Sequence, residues 1–179
     1  MSDLRLYVDA DSVPVPIRAI ILRASSKRML PVLFVADRLL KDVRNASEQD
    51  THNLRKEAEK SGELDKSAIR TIKSGIAQVT VPSGMNSADD YLVGHVTVPS
   101  IAITHDIPLA YRLVAEGAVV LDDRGNVYTK ENVGVRLSER NVNKMFREWG
   151  IAEERTRPLS PAQVKAFADA LDRTITHMQ

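Results

Sequence analysis

The segment "LYVDADSVPVPIRAII", residues 6–21, joins an apolar stretch to two aspartates and then to the start of a helix. The pattern predicts a buried strand over residues 4–8 and a helix over residues 16–27. Asp9 and Asp11 are one residue apart, where their carboxylates repel each other and add nothing to a core. Either the two aspartates begin the helix, or a positive charge lies between them.

The same alternation of apolar strands and helices continues along the chain. We predict further buried strands over residues 31–36, 76–81 and 100–106, a short one within 118–125, and helices over 86–96 and 107–117. Such a pattern indicates an α/β fold, a three-layer sandwich in which a central, mostly parallel sheet has helices on both faces. In the strand order 3-2-1-4-5, the first and fourth strands are neighbours where the order reverses, and such folds bind ligands there.

The composition is that of an ordinary globular domain. The chain has 179 residues, of which 43% are hydrophobic and 27% charged, and this length suits one domain. The net charge of +1 gives no global attraction to nucleic acid or membranes. The absence of cysteine excludes disulfides, thiolate metal sites and cysteine nucleophiles. With no signal pattern and no membrane-length apolar run, we expect a cytoplasmic protein that does not bind membranes, of undetermined oligomeric state.

Two segments lie outside this alternation. Residues 38–75 are highly charged and poor in large apolar residues, which predicts a helical insertion with a helix over residues 47–60. This insertion is interpreted as an exposed helical arm, with a lid that grips the substrate as the alternative. A C-terminal helix is predicted over residues 160–177, because Ser160 and Gln163 match a capping box.

Acidic residues are concentrated near the ends of the predicted strands. They are Asp9, Asp11, Asp89, Asp90, Asp106, Asp122 and Asp123. Carboxylates from three separate segments would repel each other unless a positive charge lies among them. Mg²⁺ and Mn²⁺ prefer carboxylate and water oxygens, and such an ion can polarise a phosphodiester and activate water. The pattern therefore predicts an acidic metal site.

Several of these residues also have a purely structural explanation. Asp11 or Ser12 can begin the first helix, and Asp106 can cap a later one, by accepting free backbone N–H groups. Ser87 and Asp90 match the pattern of a capping box. The "DDRG" segment at residues 122–125 is typical of a turn.

Four strings of the sequence resemble the bacterial YaiI/YqxD family of PIN-like, NYN-related proteins. They are "VDADSVPV", "VPSGMNSADDYLV", "ITHDIPLAYRLVAEGAVVLDDRG" and "YT", in the family's order. The resemblance covers most of the chain outside residues 38–75 and departs at Val13, where the family usually has cysteine. It implies a PIN-like fold, and PIN nucleases use three or four acidic residues and Mg²⁺ or Mn²⁺ to hydrolyse RNA.

The resemblance assigns roles to particular residues of this chain. It implies that Asp9, Asp89 and Asp106 are metal ligands and catalytic residues, with Asp11 as a further ligand or a support for one. Other side chains near these positions would support the ligands or bind phosphate oxygen: Asp90, Ser12, Ser87, Thr104 and Asp122. His105 adjoins Asp106, but side chains alternate along a strand, so we expect a structural or incidental role for it.

A basic stripe follows the fifth strand. Arg136, Arg140, Lys144 and Arg147 fall on one face of a predicted helix, opposite Val142, Met145, Phe146 and Trp149. The stripe is interpreted as a solvated face, with contact to a phosphate backbone as the alternative, which makes RNA a candidate partner.

The leading functional hypothesis is a phosphodiesterase that depends on Mg²⁺ or Mn²⁺, and more specifically a ribonuclease. One alternative is a phosphatase of the haloacid dehalogenase type, with Asp9 as nucleophile and Asp11 as acid–base. Another alternative is a non-catalytic protein that binds nucleic acid or a partner protein.

Overall fold

The computed structural model describes residues 3–84, 86–151 and 157–179. In chain order, the elements are β1 (Arg5–Asp9), α1 (Val15–Arg28), β2 (Val32–Ala36), α2 (Lys41–Ser61), α3 (Lys66–Thr71), β3 (Ile76–Thr80), α4 (Ser87–His95), β4 (Ser100–Ile103), α5 (Ile107–Ala115), β5 (Val119–Leu121), β6 (Val127–Tyr128), α6 (Val133–Glu148) and α7 (Pro161–Met178). Within these ranges, no helix has both the length and the hydropathy needed to cross a membrane.

The central sheet has six strands in the order β3-β2-β1-β4-β5-β6. All neighbouring pairs are parallel except β5 and β6, which are antiparallel. The predicted α/β class and mostly parallel sheet are confirmed. The sheet has one strand more than predicted, because β6 has only two residues and carries no apolar run.

Helices cover both faces of the sheet, as predicted. Leu6 and Val8 of β1 belong to one buried apolar cluster, which also contains residues of α1, α2 and α7, Phe167 among them. Tyr7, which lies between them, belongs to a second cluster with residues of α4, α5 and the start of α6. Successive side chains of a strand point to opposite faces, so one short strand contributes to both layers of the core.

The pairing of β1 with β4 brings two connecting loops side by side. Val8 is in register with Ile103, the last residue of β4. β4 is shorter than predicted, so Asp106 lies in the loop that follows β4 and not in the strand itself. The loops that begin at Asp9 and at Thr104 therefore leave the sheet at the same edge.

The charged segment 38–75 packs against the edge of the sheet. Helix α2 begins at Lys41, so the predicted start at residue 47 is wrong. The hydroxyl of Ser47, which lies within α2, donates to the carbonyl of Ile76 in β3, at 2.8 Å. The Arg55 side chain donates to the Ile72 carbonyl at 3.1 Å, which ties the far half of α2 to the segment after α3.

The C-terminal helix α7 closes one face of the sheet. The predicted capping box of Ser160 and Gln163 is confirmed, with both reciprocal hydrogen bonds present. The helix buries Phe167 completely. Arg28 of α1 forms an ion pair with Asp172 of α7, which fixes the two helices side by side.

We expect the turn between β5 and β6 to depend on the close approach of α7. At Gly125 φ is +87°, and an added Cβ would lie 2.7 Å from the carbonyl oxygen of Ala166. Gly62 is the matched control, because φ is +67° there and nothing lies within 4 Å of an added Cβ. Both alanine variants are destabilised by the left-handed backbone conformation, which disfavours any residue with a Cβ. Only Gly125→Ala would also displace α7. Gly125→Ala should lose about 1–3 kcal/mol more unfolding free energy than Gly62→Ala, measured by urea denaturation. Equal losses would contradict this account.

Candidate functional site

One buried hydroxyl group joins the loops that follow β1 and β4. Thr104 Oγ1 donates to Asp9 Oδ2 at 2.7 Å. The same oxygen accepts from the backbone N–H of Asp106 at 3.0 Å. Thr104 is fully buried and Asp9 is only 5% exposed, so neither hydrogen bond competes with bulk water. Thr104 thus fixes the distance between Asp9 and Asp106, because it is hydrogen-bonded to both residues.

The side chain of Asp106 also caps helix α5. Its Oδ1 atom accepts from the backbone N–H of Leu109 at 3.1 Å. The capping explanation of this residue is therefore confirmed. The cap orients the carboxyl group, because a fixed Oδ1 leaves Oδ2 with a defined direction.

The start of α4 differs from the sequence prediction. The residue that precedes this helix is Asn86, with φ of 64°, and the helix has no side-chain cap. The predicted capping box of Ser87 and Asp90 is therefore wrong. Asp90 instead accepts from the Arg112 side chain of α5 at 2.8 Å, so its carboxylate is engaged there.

The carboxyl group of Asp9 is difficult to ionise. Burial is the main cause that raises its pKa, and the charges of Asp11 and Asp106 raise it further. Contacts with the hydroxyls of Ser12 and Thr104 act in the opposite direction. Asp9 is therefore a carboxylate that a nearby positive charge would stabilise.

Asp89 shares the same electrostatic environment. Its pKa is raised to about 6, first by burial and then by the charges of Asp9 and Asp106. Asp89 thus lies close enough to both to interact with them, although it comes from a different helix. Asp9, Asp89 and Asp106 thus interact electrostatically, and we call this set of three residues the acidic centre.

Asp11 lies beside the acidic centre but is tied to the loop after β2. Its Oδ2 atom accepts from the backbone N–H of Asp37 at 2.8 Å, and its Oδ1 atom is 3.1 Å from Arg38 Nη1. Helix α1 begins after Pro14 and has no side-chain cap, so the capping explanation for Asp11 and Ser12 is wrong. Asp11 connects two loops and has its own positive partner.

Ser12 links the same two loops as Thr104. Its hydroxyl donates to the backbone carbonyl of Asp9 at 3.2 Å and accepts from the backbone N–H of His105 at 3.1 Å. Ser12 Oγ and Thr104 Oγ1 are 3.4 Å apart. These short contacts restrain the backbone on which Asp9 and Asp106 are carried.

His105 has a specific partner that the sequence analysis did not predict. Its Nδ1 atom is 2.7 Å from Asp123 Oδ1, and the hydrogen bond to the Asp123 carboxylate raises the pKa of His105. This contact is compatible with the structural use that the sequence analysis expected for His105. The available signal was the strand order, because His105 and Asp123 follow β4 and β5, which are parallel neighbours.

Asp122 is occupied by the turn between β5 and β6. Its carboxylate accepts from the backbone N–H groups of Arg124 and Asn126, both at 2.9 Å. It also accepts from the Asn126 side chain at 2.7 Å and from the Tyr128 hydroxyl at 3.0 Å. The turn explanation is confirmed for Asp122. Its four hydrogen bonds stabilise the turn, so its role is structural.

The basic residues of α6 are divided between two environments. Arg136, Arg140 and Arg147 line a cavity of about 230 Å³ that reaches Ile107, the residue after Asp106. Lys144 lies outside this cavity and is 3.9 Å from Glu148. The face opposite the stripe is exposed and not packed on the core: Val142, Met145, Phe146 and Trp149.

The side chains of the acidic centre are not arranged as a closed set of metal ligands. Among residues 3–84, 86–151 and 157–179, no three Asp, Glu or His side chains are close enough together to hold a metal ion. The charge of Asp106 nevertheless helps to raise the pKa of both Asp9 and Asp89, and the charge of Asp9 helps to raise that of Asp89. Carboxylate oxygens are the donors that hard divalent cations prefer, so the donor chemistry fits Mg²⁺ or Mn²⁺.

Thr104→Val is expected to loosen the link between Asp9 and Asp106. Valine keeps the shape of threonine but removes both hydrogen bonds from a buried position, which costs about 2–3 kcal/mol of unfolding free energy. Thr97→Val is the matched control, since it removes only a 3.0 Å contact with the Tyr7 hydroxyl at an exposed residue. Chemical denaturation measures both losses. A Thr104→Val loss no larger than that of the control would contradict a structural link.

Asp89→Asn is expected to change how stability depends on pH. Because the folded-state pKa of about 6 lies above the ordinary value of 3.8, this group favours folding below about pH 4. That contribution is lost as pH rises through about 6. The variant should equal wild type near pH 4 and exceed it at pH 8 by up to about 1 kcal/mol, after solvent screening.

The measurement is denaturation in EDTA at both pH values. Asp90→Asn is the matched control on the same helix, because Asp90 pairs with Arg112 at 2.8 Å and should not gain stability at pH 8. A variant at position 89 that is less stable than wild type at pH 8 would rule out the proposed repulsion.

Comparisons with known proteins place this chain in a family. The family model described as "Uncharacterized BCR, YaiI/YqxD family" matches residues 64–177. A UPF0178 protein of Geobacter metallireducens is 34% identical over 175 residues, which cover 98% of this chain and 95% of that protein. One from a Shewanella species is 31% identical over 178 residues, which cover 99% of this chain and 100% of that protein.

A solved structure was also matched, at a much lower level of similarity. Glucose-6-phosphate 1-dehydrogenase from Mycobacterium avium has a TM-score of 0.36 and 15% identity, over 68% of this chain and 29% of that chain. A match at that level carries no argument about fold or function. The family model and the full-length relatives show that the chain belongs to the uncharacterised YaiI/YqxD family.

Proposed function

We propose that this protein is a phosphodiesterase that depends on Mg²⁺ or Mn²⁺ and cleaves RNA. The observation that carries the proposal is the acidic centre, whose members come from the end of β1, from α4 and from the residue that caps α5. Burial and the neighbouring carboxylates raise the pKa of Asp9 and of Asp89. A cluster of like charges with raised pKa values destabilises the fold unless a proton or a cation is bound. Such clusters are more typical of functional sites than of structural ones.

Asp9, Asp89 and Asp106 would hold the ion. When bound, a divalent cation polarises the phosphodiester and activates a water molecule. Thr104 would keep Asp9 and Asp106 at the correct spacing, through its 2.7 Å and 3.0 Å hydrogen bonds. Asp11 would act as a positioning residue, because its ion pair with Arg38 already compensates its charge.

The basic residues of α6 support a nucleic acid as the substrate. The cavity that Arg136, Arg140 and Arg147 line reaches Ile107, beside the acidic centre. Arginine side chains at this position would neutralise backbone phosphates on either side of the bond to be cleaved. The resemblance to PIN nucleases favours RNA over other phosphodiesters.

The phosphatase alternative receives less support from the local contacts. It requires Asp9 as an accessible nucleophile, but Asp9 is 5% exposed and its Oδ2 atom accepts from Thr104. It also requires Asp11 as a free acid–base group, but both oxygens of Asp11 are engaged by Arg38 and the Asp37 amide. Buried, oriented carboxylates are better suited to hold an ion.

The proposal is tested by cleavage of a mixed-sequence single-stranded RNA in Mn²⁺ and in EDTA. We expect cleavage in Mn²⁺ only, and a loss of about 100-fold or more in Asp9→Asn and Asp106→Asn. The matched control is Asp169→Asn, an exposed carboxylate of α7 that pairs only locally with Lys165. Mn²⁺ should also raise the melting temperature of the wild type, and should not raise that of Asp9→Asn.

The alternatives correspond to different outcomes of the same experiment. Hydrolysis of a phosphomonoester, with a phosphorylated or fluoride-complexed Asp9, would replace the nuclease with a phosphatase. RNA binding that Asp9→Asn leaves unchanged, without turnover, would instead establish a non-catalytic binding protein. Cleavage that persists in EDTA would show that the acidic centre is not the site of the chemistry.

A further inference from the structure

A second cavity adjoins the acidic centre on the side of α7. Its volume is about 740 Å³, and it is lined by the loop from Asp11 to Pro16, by residues that follow β4 and β5, and by residues at the start of α7. Pockets of this size bind small organic ligands. Asp11 and Ser12 line it, so its contents would lie directly beside Asp9.

The cavity carries more positive charge than its own carboxylates can neutralise. Asp11 is 3.1 Å from Arg38, and Asp123 is 2.7 Å from His105, so each carboxylate already has a partner. Two further arginines line the cavity without an ion pair in the described residues: Arg124 and Arg157.

Arg124 also has a donor that the fold does not satisfy. Its Nε atom is buried and has no hydrogen-bond partner in the part of the chain that the structure describes. A buried donor without an acceptor costs about 1–3 kcal/mol, and such groups call for an explanation such as a missing ligand. An anion bound between the two arginines would provide acceptors and allow the guanidinium group to reorient toward it.

Arg18 lines the same cavity but has a structural role. Its side chain donates to Asp42 at 2.8 Å and to the carbonyl of Val13 at 2.9 Å, and it is almost fully buried. Arg18 therefore holds the loop that forms one wall of the cavity. The anion would be left to Arg124 and Arg157.

The rest of the cavity wall is apolar. Val13, Val15 and Leu159 contribute to it, and the Val15 side chain is 56% exposed. An apolar wall beside a pair of arginines suits a ligand with a flat or carbon-rich body and a charged end. A nucleotide has both parts, since its base and ribose can cover apolar carbon while its phosphate meets the arginines.

We propose that this cavity binds a nucleotide that carries a terminal phosphomonoester, with the phosphate on Arg124 and Arg157. A phosphomonoester has a charge of about −1.5 to −2 at pH 7, whereas a phosphodiester within a strand has only one negative charge. Two arginines that have no ion pair among the described residues match the larger charge, and each guanidinium can bind phosphate with two hydrogen bonds. This inference extends the proposed nuclease function, because it places a phosphorylated strand end next to the acidic centre.

The first test measures binding in EDTA, where no metal-dependent cleavage takes place. Adenosine 5′-monophosphate, adenosine 3′-monophosphate, adenosine and inorganic phosphate are titrated into the full chain by calorimetry in a phosphate-free buffer. We expect one of the two monophosphates to bind at least about 10-fold more tightly than adenosine or inorganic phosphate. Equal affinities for nucleotide and nucleoside would overturn the phosphate site, and equal affinities for nucleotide and inorganic phosphate would overturn the nucleotide.

The variants identify the residues involved. Arg124→Gln and Arg157→Gln should each weaken the monophosphate by about 10-fold and leave adenosine unchanged. Arg173→Gln, an exposed residue of α7, is the matched control and should have no effect. Arg157 is exposed and has no ion pair among the described residues, so its variant decides the question even if Arg124→Gln fails to fold. Unchanged affinity in Arg157→Gln would overturn the proposed arrangement.

The second test separates this inference from the proposed function. RNA strands that differ only in a phosphate or hydroxyl at one end are compared as substrates in Mn²⁺. Faster cleavage of a phosphorylated strand, lost in Arg157→Gln, supports both proposals. Nucleotide binding without cleavage of any RNA would remove the nuclease and leave the cavity in place. Cleavage at a rate that does not depend on the end phosphate, with no nucleotide binding, would overturn the nucleotide site and leave the proposed nuclease function.

Discussion

The hydroxyl group of Thr104 is the contact on which the arrangement of the acidic centre depends. It donates to Asp9 and accepts from the Asp106 amide, and so joins the loops that follow β1 and β4. The register of the two strands makes this contact available, since Val8 pairs with Ile103, the residue before Thr104. Two carboxyl groups that repel each other would otherwise move apart into solvent. The parallel sheet therefore supplies the position, and one buried hydrogen-bond donor supplies the spacing.

Charge is distributed unevenly around this contact. Asp11 and Asp90 each lie next to a cationic side chain, Arg38 and Arg112, and Asp123 accepts a hydrogen bond from His105. Asp9 and Asp89 instead have raised pKa values. Stability alone would favour an amide or an apolar residue at positions 9 and 89, because both ionised groups are costly there. The proposed metal site rests on these two carboxyl groups, and the cavity of about 740 Å³ adjoins them through Asp11 and Ser12.

Much of the fold and part of the site could be predicted from local patterns. Apolar runs alternating with helices predicted the parallel sheet, because a strand buried on both faces has no polar alternation. The capping box at Ser160 was predicted correctly, because it is made by residues three apart. The same pattern at Ser87 failed, since Asn86 adopts a left-handed conformation and Arg112 attracts Asp90 instead. Strand β6 was missed because a strand of two residues is too short to show an alternation of apolar and polar side chains.

The sequence by itself determined the alternation of strands and helices and the positions of the aspartates along the chain. Both depend on neighbours a few residues apart, whose periodicity is visible without a structure. Only the tertiary structure decided which side chain each aspartate meets, because the partners of Asp123, Asp90 and Asp11 lie 18 to 27 residues away. It also decided that α6 leaves Trp149 exposed and that Arg124 faces a cavity beside the acidic centre. Such contacts depend on how separate elements pack, and no local pattern contains that information.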